Sequence, residues 1–170
     1  IKDQGVQLAK KLIIATGVRD IMPDMAGFAD CWGVTVIHCP YCHGYEFRGK
    51  PTGILTPQDP VQAVHLAGLV RNLTEDLTLF TNGTQPFDNT QLQQFADKGI
   101  LLVNNAIREI DHQDGLIQHI VLENGERIAL SALYARVPFD LYHDVGEQLG
   151  CQKTDFGLLQ VDAFQKTNVP

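Results

Sequence analysis

Two cysteines, at positions 39 and 42, are the residues with the clearest chemical potential. They enclose a proline and a tyrosine in the run Cys39-Pro40-Tyr41-Cys42. Proline suits the first position of a helix, because its missing N–H would have no helical partner there. Two thiols at this spacing can close a disulfide without backbone movement, and the positive end of the helix dipole favours a thiolate. The motif therefore predicts a redox-active dithiol.

A metal site is a second interpretation of the same motif. Two histidines, His38 and His43, flank the cysteines and could add nitrogen ligands. Zinc sites with a C-x-x-C pair normally use a second pair, however, and the other cysteines, Cys31 and Cys151, stand alone. The residues thus favour redox chemistry over metal binding without closing the question.

Covalent haem attachment is the third interpretation, because the motif continues to His43 and matches C-x-x-C-H. A c-type haem needs an axial ligand such as methionine, and the sequence contains only Met22 and Met25. The motif also follows a β-branched run at 34–38. This run predicts a strand that ends beside Cys39, a poor setting for a helical wrap around a porphyrin.

The elements that must position the motif follow from hydrophobic periodicity. After Lys50, short apolar strands alternate with helices of period 3.6: strands at 52–55, 77–80 and 100–104, and helices at 60–73 and 90–98. Asp59 and Pro60 suit the cap and first residue of the first helix. Three alternating segments, at 107–111, 116–123 and 127–134, then predict a β-meander. This order predicts an α/β nucleotide-binding fold with a parallel sheet.

The first part of the chain has weaker signals. Residues 9–17 read Ala-Lys-Lys-Leu-Ile-Ile-Ala-Thr-Gly and predict a short buried strand. Residues 18–33 have no sustained period and contain Pro23, Gly27 and Gly33, so they predict a linker.

Composition limits the function. With 170 residues, 44% hydrophobic and 19% charged, the chain can bury one core and parts of a second. A net charge of −7 without a basic cluster excludes nucleic acid and anionic membranes as expected partners, and no apolar run is long enough to span a bilayer. Four unevenly placed cysteines favour a reducing, cytoplasmic compartment. Because the chain does not begin with Met, we expect a fragment of a longer protein.

The motifs resemble those of a known family. Lys11-Leu12-Ile13-Ile14-Ala15-Thr16-Gly17 and Cys39-Pro40-Tyr41-Cys42-His43-Gly44-Tyr45-Glu46 are similar to segments of the thioredoxin reductase-like FAD-dependent pyridine nucleotide-disulfide oxidoreductases. The Cys-Pro-Tyr-Cys-His-Gly form is similar to the branch of gliotoxin- and holomycin-type dithiol oxidases. The resemblance implies a Rossmann-like domain at 23–144 that carries the cysteines. Residues 1–22 and 145–170 would then be pieces of an FAD domain.

The resemblance also implies roles for individual residues. Cys39 and Cys42 would be the catalytic dithiol, Cys42 nearer the flavin, and His43, where many relatives have Asp, would exchange protons. The residues Ala15, Thr16 and Gly17 would contact FAD. Other FAD motifs of the family would lie before Ile1 and after Pro170, so the chain alone is expected to be inactive.

One departure from the family concerns NADPH. The usual Gly-x-Gly-x-x-Ala turn is replaced by Thr56-Pro57-Gln58-Asp59-Pro60, in which prolines remove amide donors and Asp59 adds negative charge. No basic residue for a 2′-phosphate occurs between Phe80 and Phe87. We therefore predict that the domain keeps its fold and does not bind NADPH in the usual manner.

The resemblance implies electron transfer between FAD and the Cys39/Cys42 pair, and between that pair and a thioredoxin-like protein or small dithiol or disulfide. Oxidation of a dithiol by oxygen, or reduction by a ferredoxin-type donor, are alternatives within this class. A non-enzymatic binding domain that retained the scaffold is an alternative of another class. Relatives are usually homodimers, and we expect the same of the complete protein.

Overall fold

The computed structural model describes residues 5–56 and 59–170. The chain forms two compact units. The larger unit is Met22–Val137, and the smaller joins the residues before Met22 to Pro138–Pro170. The boundaries inferred from the resemblance, after residues 22 and 144, concern the FAD and nucleotide domains of a longer protein and stay predictions.

A five-stranded parallel sheet forms the centre of the larger unit. The first strand of the chain, β1 Val18–Asp20, belongs to the smaller unit. The strands of the parallel sheet in chain order are β2 Val36–Ile37, β3 Thr52–Leu55, β4 Leu77–Phe80, β5 Leu101–Val103 and β9 Ala132–Tyr134.

 The order across the sheet is β2-β9-β3-β4-β5, so β9, the last of these strands along the chain, lies between the first two, β2 and β3. The predicted α/β class with a parallel sheet is confirmed.

The sheet is buried because its strands are apolar on both faces, as parallel sheets require. Ile54, Leu79 and Leu133 are fully buried, and the two hydrophobic clusters of the unit lie on either side of these strands. Gly53 lets the strands pack this closely. A Cβ at Gly53 would lie 2.7 Å from Leu130 Cδ1 and 2.9 Å from both Leu133 Cδ1 and Phe80 Cε2.

Two helices connect the sheet strands where periodicity predicts them. Helix α3, Pro60–Arg71, begins after Asp59, whose carboxylate accepts a hydrogen bond from Val61 N at 2.9 Å. Helix α4, Asn89–Asp97, begins with a capping box between Asp88 and Gln91. Both helices lie within two residues of the predicted ranges, and Asp59 and Pro60 have the predicted positions.

The meander is a three-stranded antiparallel sheet of β6 Ile107–Gln113, β7 Leu116–Leu122 and β8 Arg127–Ala129. The prediction of one strand at 127–134 is wrong. The segment divides after Ala129, because β8 pairs with β7 while Ala132–Tyr134 enters the parallel sheet beside β2 and β3. One apolar segment thus serves two sheets.

The predicted linker at 18–33 is also wrong in part, because it contains a short helix, α1 Phe28–Cys31. Phe28 and Cys31 are fully buried in the larger unit. Their burial is tertiary packing that a local period cannot reveal in so short a helix. The predicted strand at 34–38 is shorter in the structure, where it covers Val36–Ile37.

In the smaller unit, β1 pairs antiparallel with β10 Phe139–Leu141, and α5 Val145–Gln148 follows. The predicted buried strand at 9–17 is wrong. Within the described part of the chain no strand pairs with these residues, and Leu12 and Ile13 are 61% and 91% exposed. An apolar segment forms a strand only where a neighbouring strand accepts and donates its hydrogen bonds.

Among residues 5–56 and 59–170, no helix has the length and apolar character needed to cross a membrane.

Replacement of Gly53 by alanine tests the close packing of the sheet. We expect Gly53→Ala to lower the free energy of unfolding by about 1–3 kcal/mol, because the added methyl group meets three side chains in a filled core. Urea unfolding followed by circular dichroism measures the change.

Gly68→Ala is the matched control for this substitution. Gly68 lies inside α3, and nothing lies within 4 Å of a Cβ built there. We expect this variant to gain about 0.5–1 kcal/mol, since alanine favours the helix. A Gly53→Ala protein as stable as the wild type would contradict the packing argument.

Candidate redox site

The cysteine motif lies at the carboxyl end of the parallel sheet. Strand β2 ends at Ile37, and Cys39 follows two residues later. The next strand in the sheet, β9, ends at Tyr134, which pairs in register with Ile37. Open α/β sheets bind their ligands beyond the carboxyl ends of the strands. The fold therefore places the motif where such sheets have their functional sites.

The helix predicted after the first cysteine is confirmed as α2, Pro40–His43. Cys39 is its N-cap in an extended conformation, and Pro40 is its first residue. The Cys39 carbonyl accepts hydrogen bonds from Cys42 N at 3.2 Å and from His43 N at 3.3 Å. This single turn brings the Cys42 side chain back to Cys39.

A hydrogen bond joins the two sulfurs and makes the thiols unequal. The Cys42 thiol donates to the Cys39 sulfur, and this bond is the largest of the causes that lower the pKa of Cys39. Backbone N–H groups of Cys42 and Tyr41 lower it further. The same sulfur contact raises the pKa of Cys42. Of the two cysteines of the motif, Cys39 is therefore the one that more readily forms a thiolate.

The histidines beside the motif differ in their surroundings. His38 is exposed, and its ring centroid lies 6.3 Å from that of Trp32. His43 is partly buried, and its Nδ1 atom is buried without a hydrogen-bond partner among the described residues. In the described ranges, no group of three His, Cys, Asp or Glu side chains is placed to hold a metal ion. The proton-exchange role of His43 stays a prediction.

Sequence reasoning missed Tyr134, which lies close to the motif. Its side chain is 1% exposed, and its hydroxyl is buried without a partner among the described residues. Burial, followed by the negative charge of Cys39, raises the pKa of Tyr134 to about 12. The only sequence signal was a tyrosine in an otherwise apolar strand, which equally suits ordinary packing.

The residues predicted to contact FAD belong to the smaller unit. Ala15, Thr16 and Gly17 are exposed and precede β1 directly. Their exposure leaves these three residues accessible to a ligand. Their role in FAD binding stays a prediction.

The turn that departs from the family is only partly described, because Pro57 and Gln58 lie outside the described residues. At the end of this turn, the Asp59 carboxylate accepts a hydrogen bond from Val61 N, the first backbone N–H of α3. In the usual dinucleotide site, a phosphate binds at this helix N-terminus. A carboxylate in that place repels a phosphate.

Comparisons with known proteins agree with the motifs. The chain is 33% identical to the thioredoxin reductase aclD of Aspergillus oryzae, covering 95% of this chain and 54% of that protein. It is 32% identical to the thioredoxin reductase tcpT of Claviceps purpurea, covering 94% and 52%. The crystal structure of an oxidoreductase from Agrobacterium tumefaciens matches with a TM-score of 0.78 and 33% identity, covering 90% of this chain and 50% of that chain. No protein-family model matches the chain.

The chain thus spans about half the length of the curated relatives it matches. Both relatives are named thioredoxin reductases, as the resemblance of the cysteine motif implied. The resemblance predicted from the sequence is confirmed.

The unequal thiols give a testable order of reactivity. We expect iodoacetamide to alkylate Cys39 before Cys42 near neutral pH, because only the thiolate is the nucleophile. Peptide mass spectrometry after timed quenching measures the two rates. Accessibility alone favours the opposite order, since Cys42 is the more exposed residue.

Two variants test whether the Cys42 thiol lowers the pKa of Cys39. Cys42→Ala removes the S–H donor, so the pH midpoint of Cys39 alkylation should rise. Cys151→Ala, a change outside the motif, should leave that midpoint unchanged. Faster alkylation of Cys42 than of Cys39 in the wild type would refute the assignment of the thiolate.

Proposed function

We propose that this chain, which belongs by sequence and fold with the thioredoxin reductase-like proteins, is the dithiol-bearing part of a flavin-dependent thiol-disulfide oxidoreductase. The observation that carries the proposal is the hydrogen bond between the Cys39 and Cys42 sulfurs at the start of α2. Sulfurs this close can close a disulfide with little movement of the backbone.

The proposed reaction is an exchange of disulfides. The Cys39 thiolate attacks one sulfur of a substrate disulfide, so that a Cys39–substrate bond forms, the substrate S–S bond breaks, and one substrate thiolate leaves and takes up a proton. Cys42 then loses its proton and attacks the Cys39 sulfur. The Cys39–Cys42 disulfide forms and the second substrate thiolate leaves. Two electrons pass from the dithiol to the substrate, and the same steps in reverse oxidise a dithiol.

FAD is the cofactor that we propose for the complete protein, and Ala15, Thr16 and Gly17 would be among the residues that contact it. When bound, it would exchange two electrons with the Cys39/Cys42 pair. His43 adjoins Cys42 in the chain, and an imidazole can both accept and donate a proton. We assign to His43 the exchange of the proton that Cys42 loses.

The proposed substrate is a thioredoxin-like protein or a small dithiol or disulfide. Two tyrosines next to the cysteines, Tyr41 and Tyr45, are 81% and 78% exposed.

We also propose that the complete protein is a cytoplasmic homodimer, as expected from the sequence.

The relatives' names favour an enzyme over a non-enzymatic binding domain. They equally favour a reductase over an oxygen-dependent oxidase or a ferredoxin-linked enzyme. The Asp59 cap supports our proposal that NADPH does not bind at the start of α3 in the usual manner.

The disulfide exchange is tested with 5,5′-dithiobis(2-nitrobenzoate) on the reduced full chain carrying Cys151→Ser. We expect the Cys39/Cys42 pair to release two equivalents of thionitrobenzoate and to end as an internal disulfide. With Cys42→Ser added, the mixed disulfide on Cys39 should persist, because no second thiol can resolve it. Absorbance and intact-mass measurements follow both products.

Cys39→Ser in the same background is the matched control. It should release one equivalent of thionitrobenzoate and keep the mixed disulfide on Cys42, because no second thiol of the motif remains to displace it. A wild-type motif that retains two bound thionitrobenzoate groups, rather than closing its own disulfide, would overturn the proposed exchange.

The nucleotide proposal is tested by calorimetric titration of the full chain with NADPH. We expect no saturable heat at micromolar NADPH, because the Asp59 carboxylate occupies the amide that a phosphate would need. Asp59→Ser retains a capping oxygen without the charge and serves as the comparison. Saturation of the wild type in the micromolar range would contradict the proposal.

A further inference from the structure

The Tyr134 hydroxyl is a buried polar group that the disulfide chemistry described above does not use. Its side chain is 1% exposed and its oxygen has no hydrogen-bond partner among the described residues. Buried hydroxyls are nearly always paired, so an unpaired one requires an explanation. A hydrogen-bond acceptor that exists in only one chemical state of the site would explain why the hydroxyl is unpaired.

The hydroxyl lies directly beneath the end of the cysteine helix. A Cβ built on Gly44 would lie 3.0 Å from the Tyr134 oxygen and 3.7 Å from Pro40 Cβ. Gly44 caps α2, and its N–H donates to the carbonyl of Pro40. Because Gly44 has no side chain, the Tyr134 hydroxyl can lie close to the turn that carries Cys39 and Cys42.

The strand register explains why the oxygen reaches this turn. Tyr134 is the last residue of β9 and pairs with Ile37, the last residue of β2. Cys39 follows Ile37 by two residues. Tyr134 and Cys39 therefore lie at the same end of the sheet, on or just after two neighbouring strands.

The two groups also act on each other electrostatically. Negative charge on Cys39 raises the pKa of Tyr134, after the larger effect of burial, to about 12. The phenol consequently keeps its proton at neutral pH and can donate it in a hydrogen bond. A thiolate accepts such bonds far better than a thiol does.

We propose that Tyr134 is a positioning residue of the dithiol, whose hydroxyl donates a hydrogen bond to the Cys39 sulfur when that sulfur is a thiolate. While Cys39 keeps its proton, its sulfur is a weak acceptor, and the Tyr134 hydroxyl has no partner among the described residues. Loss of the Cys39 proton to solvent creates the acceptor that the phenol lacks. The inference rests on the proposed role of Cys39 as the attacking sulfur.

The test is the pH profile of Cys39 alkylation by iodoacetamide in Tyr134→Phe, which removes only the oxygen. We expect the midpoint to rise by about one pH unit, a tenfold loss of thiolate below the midpoint. Tyr45→Phe, an exposed tyrosine just after α2, should leave the midpoint unchanged. An unchanged midpoint in Tyr134→Phe would overturn the inference.

Thermal unfolding of the two redox forms distinguishes positioning from a structural role. Tyr134→Phe should not destabilise the disulfide form, in which the hydroxyl has no thiolate to bind, and should destabilise the reduced form above the Cys39 midpoint. Equal destabilisation of both forms would assign the hydroxyl to packing and overturn the inference.

A measurement on the wild type covers the case in which the variant does not fold. With tyrosine isotope-labelled at Cζ, the Tyr134 resonance should shift with the Cys39 midpoint. A resonance that ignores this midpoint would refute the hydrogen bond. Neither result depends on 5,5′-dithiobis(2-nitrobenzoate), so failure of the Tyr134 role and failure of the disulfide exchange remain distinguishable.

Discussion

The contact between two sulfurs in one helical turn is the constraint on which the site depends. The N-cap conformation of Cys39 directs its carbonyl to the amides of Cys42 and His43, and this turn brings the Cys42 thiol to the Cys39 sulfur. This hydrogen bond lowers the pKa of Cys39 and raises the pKa of Cys42. Two chemically equal cysteines thereby acquire thiols of different acidity.

The parallel sheet supplies the fixed support for this turn. Strands β2 and β9 end side by side, so one carries the cysteines forward while the other presents Tyr134 beneath them. Gly44 and Gly53 are required at close approaches, the first above the Tyr134 hydroxyl and the second inside the sheet. The packing of the sheet and the position of the cysteine motif therefore depend on the same strand register.

Local signals predicted the elements that carry their own pattern. The helices after Asp59 and Asp88 have caps and a period of 3.6, and the strand at 77–80 is a compact apolar run. Residues 9–17 and 127–134 were predicted wrongly because an apolar run does not specify its strand partner. The first has none among the described residues, and the second divides between two sheets.

The sequence by itself determined the dithiol, because the spacing of Cys39 and Cys42 and the proline between them act within one turn of chain. The residues around that motif also carry the resemblance to the thioredoxin reductase-like proteins. Only the tertiary structure decided that Tyr134 lies beneath the motif with an unpaired hydroxyl. Strand pairing joins residues far apart in the chain, and burial, which sets the pKa of such a group, exists only once those strands have packed.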